Sequence, residues 1–412
     1  MEKTAGKNTD VSVGSFNVAI SRLSENLSAT GHTHRVSADY VRVVRHFCYW
    51  HAQHHAPPSE VDESKLEGFL GHFASCTCPV SGRGTYRLCH AAVSHFMTVL
   101  REMGLSPPVR RSVSPEDMVL QTFHEHLTKV RGAAETSASL YTRHLRPFLQ
   151  GIYTGGKFSF RTITPRDVEA SVAHRAALYK PKTVKLYCSS LRAFFRFLRL
   201  MGEIELPLED AVPAVPQWSL SAIPKYLREE QVTTFLSSFN VNTLVGLRGR
   251  AMALLMITVG LRAGEVADLQ LKDIDWRKSS MRLGRTKSRR VEYLPLTTEA
   301  GEALAAYLKR RPPTETRHVF VSLTTPRGRP MTASAVSIAM RRSFARCLPG
   351  EPTHGTHVLR HTLATGMLAK GATFKEIADI LRHHNIETTA IYAKVDFKGL
   401  EHVVLPWPEV MP

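Results

Sequence analysis

Two stretches of the chain repeat each other, and an internal repeat restricts the fold before any single residue does. Tyr40 to Phe47 (YVRVVRHF) lines up with Tyr141 to Phe148 (YTRHLRPF), and Val61 to Glu67 lines up with Ile163 to Glu169. Thr85-Tyr-Arg-Leu leads to Phe96, Leu100, Arg101, Met103 and Gly104. Thr183-Val-Lys-Leu leads to Phe194, Leu198, Arg199, Met201 and Gly202 at one constant offset. The blocks also come in the same order. Apolar residues recur at helical spacing in both stretches, as in Leu191, Phe194, Phe195 and Leu198, with Arg192, Arg196 and Arg199 spread around that face. The pattern predicts two related helical units, over 1–108 and 113–205, meeting near Ser106-Pro107-Pro108.

A chain of 412 residues is too long for one ordinary core. The stretch from Leu206 to Pro224 holds prolines that deny backbone donors and force extended neighbours, which predicts a linker over 206–224 between mobile domains. Lys plus Arg total 54 against 36 for Asp plus Glu, a formal charge of +18, so the expected partner is a polyanion. No apolar run is long enough to span a bilayer, and MEKTAGKNTD lacks the apolar core of a signal peptide. The expectation is a soluble, intracellular protein with no membrane partner. The six cysteines do not form a disulfide framework. Their one cluster, His72, Cys76, Cys78, Cys89 and His90, fits no common zinc spacing and reads as ordinary thiols, so no metal is expected.

From Lys225 onward the pattern changes. Arg228 to Val232 and Leu244 to Val259 read as helices, with Gly260 as a C-cap. Short β-type runs follow at Ile274 to Trp276, Ser280 to Leu283 and Val291 to Leu294, with a basic turn, Arg285 to Arg290, between the last two. Helices resume at Glu299 to Arg310, Ala333 to Arg346, His357 to Ala369 and Phe374 to Leu381. The predicted fold class is multidomain and mainly α, with a small antiparallel β-sheet in the last domain.

Cationic and imidazole groups cluster in separate segments of that domain: Gly260-Leu-Arg262-Ala-Gly-Glu265, Thr286-Lys287, His357-Val-Leu-Arg360-His361 and Leu381-Arg-His383-His384, followed by Thr388-Thr-Ala-Ile-Tyr392. His357 and Arg360, three apart on a helix, share a face. Arg, Lys, His-x-x-Arg, His and Tyr in this order resemble the motifs of the tyrosine recombinase (phage integrase) family, which includes bacterial chromosome-dimer resolvases and transposon or phage integrases. The likeness covers a catalytic domain over 225–395, and 113–205 resembles that family's helical, SAM-like core-binding domain.

The resemblance implies a site-specific recombinase that cuts and rejoins DNA without cofactor, metal or ATP. Arg262 and Arg360 would clamp the scissile phosphate, since guanidinium forks bind phosphate bidentately. His383 would add a donor, and Tyr392 would attack phosphorus to give a 3′-phosphotyrosyl link. His357 would take the tyrosine proton or orient the phosphate, and Lys287 would protonate the leaving 5′-oxygen. Glu265 would support the Arg262 turn. Arg192, Arg196, Arg199, Arg285, Arg289 and Arg290 are candidate DNA contacts. This sequence has Arg382 where the family usually has glycine, and a one-residue shift would make His384 the active imidazole instead.

The implied partner is double-stranded DNA carrying a recombination site, held by a homo-oligomer, a tetramer on two sites, with other recombinase subunits as further partners. The implied location is the bacterial cytoplasm, at the nucleoid. The tail, 396–412, would dock on a neighbouring protomer or pack within its own. Residues 1–108 would be a duplicate of the core-binding unit that lengthens the DNA footprint, or a protein-interaction module. The alternatives are a type IB topoisomerase, with the same tyrosine chemistry on one duplex, and a catalytically silent architectural DNA-binding protein.

Overall fold

The structure is a computed structural model that describes residues 16–53, 61–72, 76–79, 84–108, 114–154, 157–216, 223–284, 291–350, 355–383 and 388–395. It is mostly helical and resolves into two compact units. One is 109–221; the other combines 1–108 with 222–412.

The N-terminal residues form α1 (Asn17–Ala29), α2 (His34–Gln53), α3 (Glu63–His72) and α4 (Tyr86–Glu102). Residues 109–221 form α5 (Pro115–Glu125), extended by a π-helical turn, then α6 (Glu135–Ile152), a small hairpin of β1 (Tyr153–Thr154) and β2 (Lys157–Phe158), α7 (Pro165–Leu178) and α8 (Pro181–Leu200). The repeated blocks therefore fall on corresponding helices. Their ends match as well: Gly104 (φ 70°) and Gly202 (φ 73°) leave the last helix of each set in the left-handed conformation that glycine adopts without strain. Leu105 N donates to Leu100 O at 2.8 Å, and Glu203 N to Leu198 O at 3.0 Å. Each set closes its own core, around Phe47, Phe69 and Phe96 in the first and Phe123, Phe148, Phe194 and Phe195 in the second.

The predicted linker over 206–224 needs correction in its first half. Leu208 and Val212 are buried in the core of the second set, and burial of two such side chains contributes about 2 kcal/mol each. Arg199 Nη2 pairs with the buried carboxylate of Glu209 at 2.5 Å, and Arg192 Nη2 donates to the carbonyls of Val212 and Pro213 at 2.9 Å. Proline content marked where a helix must stop, and the chain beyond that stop is still packed.

In the C-terminal part, α9 (Glu229–Ser237) precedes α10 (Leu244–Thr258), whose Ala251 to Ile257 are all buried. A helix apolar on every side belongs at the centre of a domain, and α10 packs there against α12 (Thr298–Arg310), α13 (Ala333–Cys347) and α14 (His357–Ala369). The short α11 (Ala263–Asp268) leads into a three-stranded antiparallel sheet of β3 (Ile274–Asp275), β4 (Ser280–Leu283) and β5 (Glu292–Pro295), with Met281 opposite both Ile274 and Leu294. Finally come α15 (Phe374–Leu381) and a 3-10 segment, Ala390–Val395. One backbone hydrogen bond, Arg327 N to Thr30 O at 3.3 Å, joins this domain to the N-terminal helices.

Candidate active site

The site is assembled from four chain ends that the core brings together. The chain leaves buried α10 through Gly260, two residues past the helix, whose φ of 72° turns it sharply. A β-carbon there would come within 3.0 Å of Leu363 and Leu381, so glycine is required on two counts. Two residues on, Arg262 begins α11, and Glu265 folds back on it: Arg262 N donates to Glu265 Oε2 at 2.7 Å and Nη1 to Oε1 at 2.8 Å. Glu265 thus holds the turn.

Arg360 lies in the first turn of α14 and is only 5% exposed. Its Nη1 donates to Gly260 O, whereas its Nη2 is buried with no hydrogen-bond partner among the described residues. Burial, and then the charges of Arg262 and Arg382, push this guanidinium down to about 9. An excess of buried positive charge with an unused donor is a place prepared for an anion.

Tyr392, on the 3-10 segment, is 1% exposed, and its hydroxyl lies 2.8 Å from Nδ1 of His361. The two rings meet edge to face. Burial raises the phenol to about 12 despite the opposing effect of Arg360. His361 is lowered by burial and by the charges of His357 and Arg360. A neutral imidazole can accept the phenolic proton at this nitrogen. The imidazole that meets the Tyr392 hydroxyl is thus His361, four residues along the same helix from His357, which is itself exposed.

Arg382 ends α15 with φ 54° and ψ 51°, a left-handed conformation costly for any residue with a β-carbon. Its side chain turns inward, bonding Glu265 Oε2 at 2.6 Å and Gly260 O at 3.3 Å, with Glu292 Oε2 3.4 Å from its Nε. The Arg382 side chain ties α15, α11 and β5 into one charged knot. His383 follows; its Nδ1 is 2.8 Å from Thr389 Oγ1, and burial with the charges of Arg360 and Arg262 pushes it down to about 4.

The structure thus gathers Arg262, Glu265, Arg360, His383 and Tyr392, with His361 and Arg382 added. Lys287, His384, Arg285, Arg289, Arg290 and the tail lie outside the described residues. Of the arginines on α8, Arg196 is exposed, whereas Arg192 and Arg199 each engage residues 209–213 through Nη2.

The profile described as the phage integrase family matches residues 225–398, and that of the phage integrase N-terminal SAM-like domain matches residues 120–202. The protein named integrase/recombinase y4rA of Sinorhizobium fredii (strain NGR234) is 36% identical over 322 residues, 77% of this chain and 78% of its own length. The chain belongs to the phage integrase family. A tyrosine recombinase XerC of Actinobacillus succinogenes is 29% identical to this integrase over 287 residues, covering 69% of the chain and 95% of the relative. The crystal structure of a lambda integrase dimer bound to a COC′ core site shares its fold, with a TM-score of 0.54 at 17% identity over 71% of this chain and 99% of that one. Like its relatives the integrase is a tyrosine-type site-specific recombinase, and among its described residues no helix is long and apolar enough to cross a membrane.

Proposed function

We propose that this integrase binds double-stranded DNA at a specific recombination site and exchanges strands through a covalent 3′-phosphotyrosyl intermediate on Tyr392. The observation that carries the reading is the pair formed by Arg360, with its unused buried Nη2, and Tyr392, whose hydroxyl already meets a neutral imidazole. A phosphodiester bound to Arg360 and Arg262 would have its non-bridging oxygens neutralised, which is most of what phosphoryl transfer asks of a protein.

In this reading the Tyr392 oxygen attacks phosphorus and its proton passes to His361. The 5′-oxygen departs with a proton from a general acid, the part that the family resemblance gives to Lys287. His383 and His357 serve the phosphate as donors. The new ester keeps the free energy of the broken one, so a 5′-hydroxyl from a partner strand reverses the steps and rejoins DNA without ATP. Four protomers would hold two sites, with the tail of each docking on its neighbour. Arg196 and the basic turn 285–290 would meet DNA backbone, and residues 1–108 would lengthen the footprint. Work on DNA sites would place the protein at the bacterial nucleoid.

The test is a supercoiled plasmid carrying two candidate sites, incubated with the chain in the absence of ATP. Recombinant circles are expected. Relaxation of a plasmid lacking the site, with no recombinants, would instead identify a topoisomerase.

A further inference from the structure

We propose that His46, His72, Cys76 and Cys78 form a structural zinc site in the N-terminal helical set. The linear spacing argued against a metal because it joined the C-x-C pair to Cys89 and His90. Folding replaces those two with His46, which lies twenty-six positions before His72 and on a different helix.

His46 sits in the middle of α2 and is wholly buried; His72 is the last residue of α3; Cys76 and Cys78 lie outside helix and strand. One ligand atom from each lies within 4.8 Å of all the others. Cys76 Sγ is 3.4 Å from His46 Nε2, and Cys78 Sγ is 3.3 Å from His72 Nε2. The two imidazoles approach at 5.6 Å between ring centres, at 69° to each other. In a tetrahedral site with Zn–S near 2.3 Å and Zn–N near 2.05 Å, sulfur and nitrogen ligands stand about 3.5 Å apart. The two observed pairs already have that separation, and all four ligand atoms lie within 4.8 Å of one another.

Two thiolates and two imidazoles are the donors zinc prefers, and two thiolates neutralise its charge, which suits a buried position. All four places are taken by protein, as in structural sites. The repeat supplies an internal comparison: the matching positions of the second set are Pro147, His174, Leu178 and Lys180, which cannot form such a site. There Leu178, which matches Cys76, is the last residue of α7, whereas Cys76 itself lies outside helix and strand. Zinc would hold the Cys76 to Cys78 segment to α2.

The full chain, freed of any affinity tag and purified without chelator, is to be measured by elemental analysis. About one zinc per chain is expected. Cobalt exchanged into the wild type should show the ligand-field and thiolate charge-transfer absorption of a tetrahedral S2N2 site. The half-buried Cys78→Ser variant should lose both signals, and Cys347→Ser should keep them. Metal-free wild type whose melting temperature responds to neither zinc nor chelator would overturn the proposal. Zinc retained in a Cys76→Ser, Cys78→Ser double variant would overturn it equally.

Discussion

The Tyr392 hydroxyl is hydrogen-bonded to His361 Nδ1 at 2.8 Å, so among the described residues the imidazole paired with it is the one that follows Arg360. Burial keeps the phenol protonated and the imidazole neutral, the starting states a proton transfer between them requires.

Replacing His361 should therefore slow cleavage with little effect on DNA affinity. His361→Ala is expected to lose about 100-fold or more in single-turnover cleavage. His361→Gln, which can still hydrogen-bond but cannot take a proton, should be nearly as slow. His357→Ala should do less damage. A silent His361→Ala beside a dead His357→Ala would return the role to His357.

Arg360→Lys should fail as a conservative change. One ammonium cannot hold Gly260 O and a phosphate oxygen with the fork of a guanidinium, and a loss of about 100-fold to 1000-fold in cleavage follows. Rates on a nicked substrate measure it.

Arg382→Gly removes a left-handed strain of about 1 kcal/mol but leaves Glu265 with one guanidinium instead of two. Breaking a buried pair costs about 3 to 5 kcal/mol, so the variant should be less stable by about 2 to 4 kcal/mol in urea unfolding. Equal or greater stability would mean that the knot contributes nothing.

The DNA-free chain should lose stability in acid through its imidazoles. His383 is depressed to about 4 from an ordinary 6.5, and His361 is depressed as well. Between these values the unfolded chain binds more protons than the folded one, so stability rises with pH. This contribution is complete above about pH 6.5 and lost as pH falls toward 4. Melting temperatures across pH 4 to 7 should show the slope, and His383→Gln should flatten it.

Deleting residues 1–105 should shorten the DNase footprint and reduce the salt dependence of binding. An unchanged footprint would leave the N-terminal helices a role in protein contacts.

Much of this was legible in one sequence because periodicity and caps are local. The ranges of α14 and α15 follow directly from apolar spacing and from Gly371 and Thr373 between them. Arg262, Arg360 and Tyr392 were picked out of the sequence because a resemblance ordered them, and the fold brings them together. What stayed hidden depends on distance through space. Neither His361 nor Arg382 differs by composition from a surface residue until the fold shows what it touches. His46 has no neighbour in sequence that marks it as a ligand, and Leu208 and Val212 are too short an apolar signal to outweigh the prolines around them.

The central claim is that Tyr392 becomes covalently joined to DNA. A nicked suicide duplex carrying a candidate site, which loses the strand needed for rejoining, should trap the wild-type chain as a 3′-phosphotyrosyl adduct visible on a denaturing gel. Tyr392→Phe should bind the same duplex and form none. An adduct that persists in Tyr392→Phe would contradict the account and move the nucleophile elsewhere.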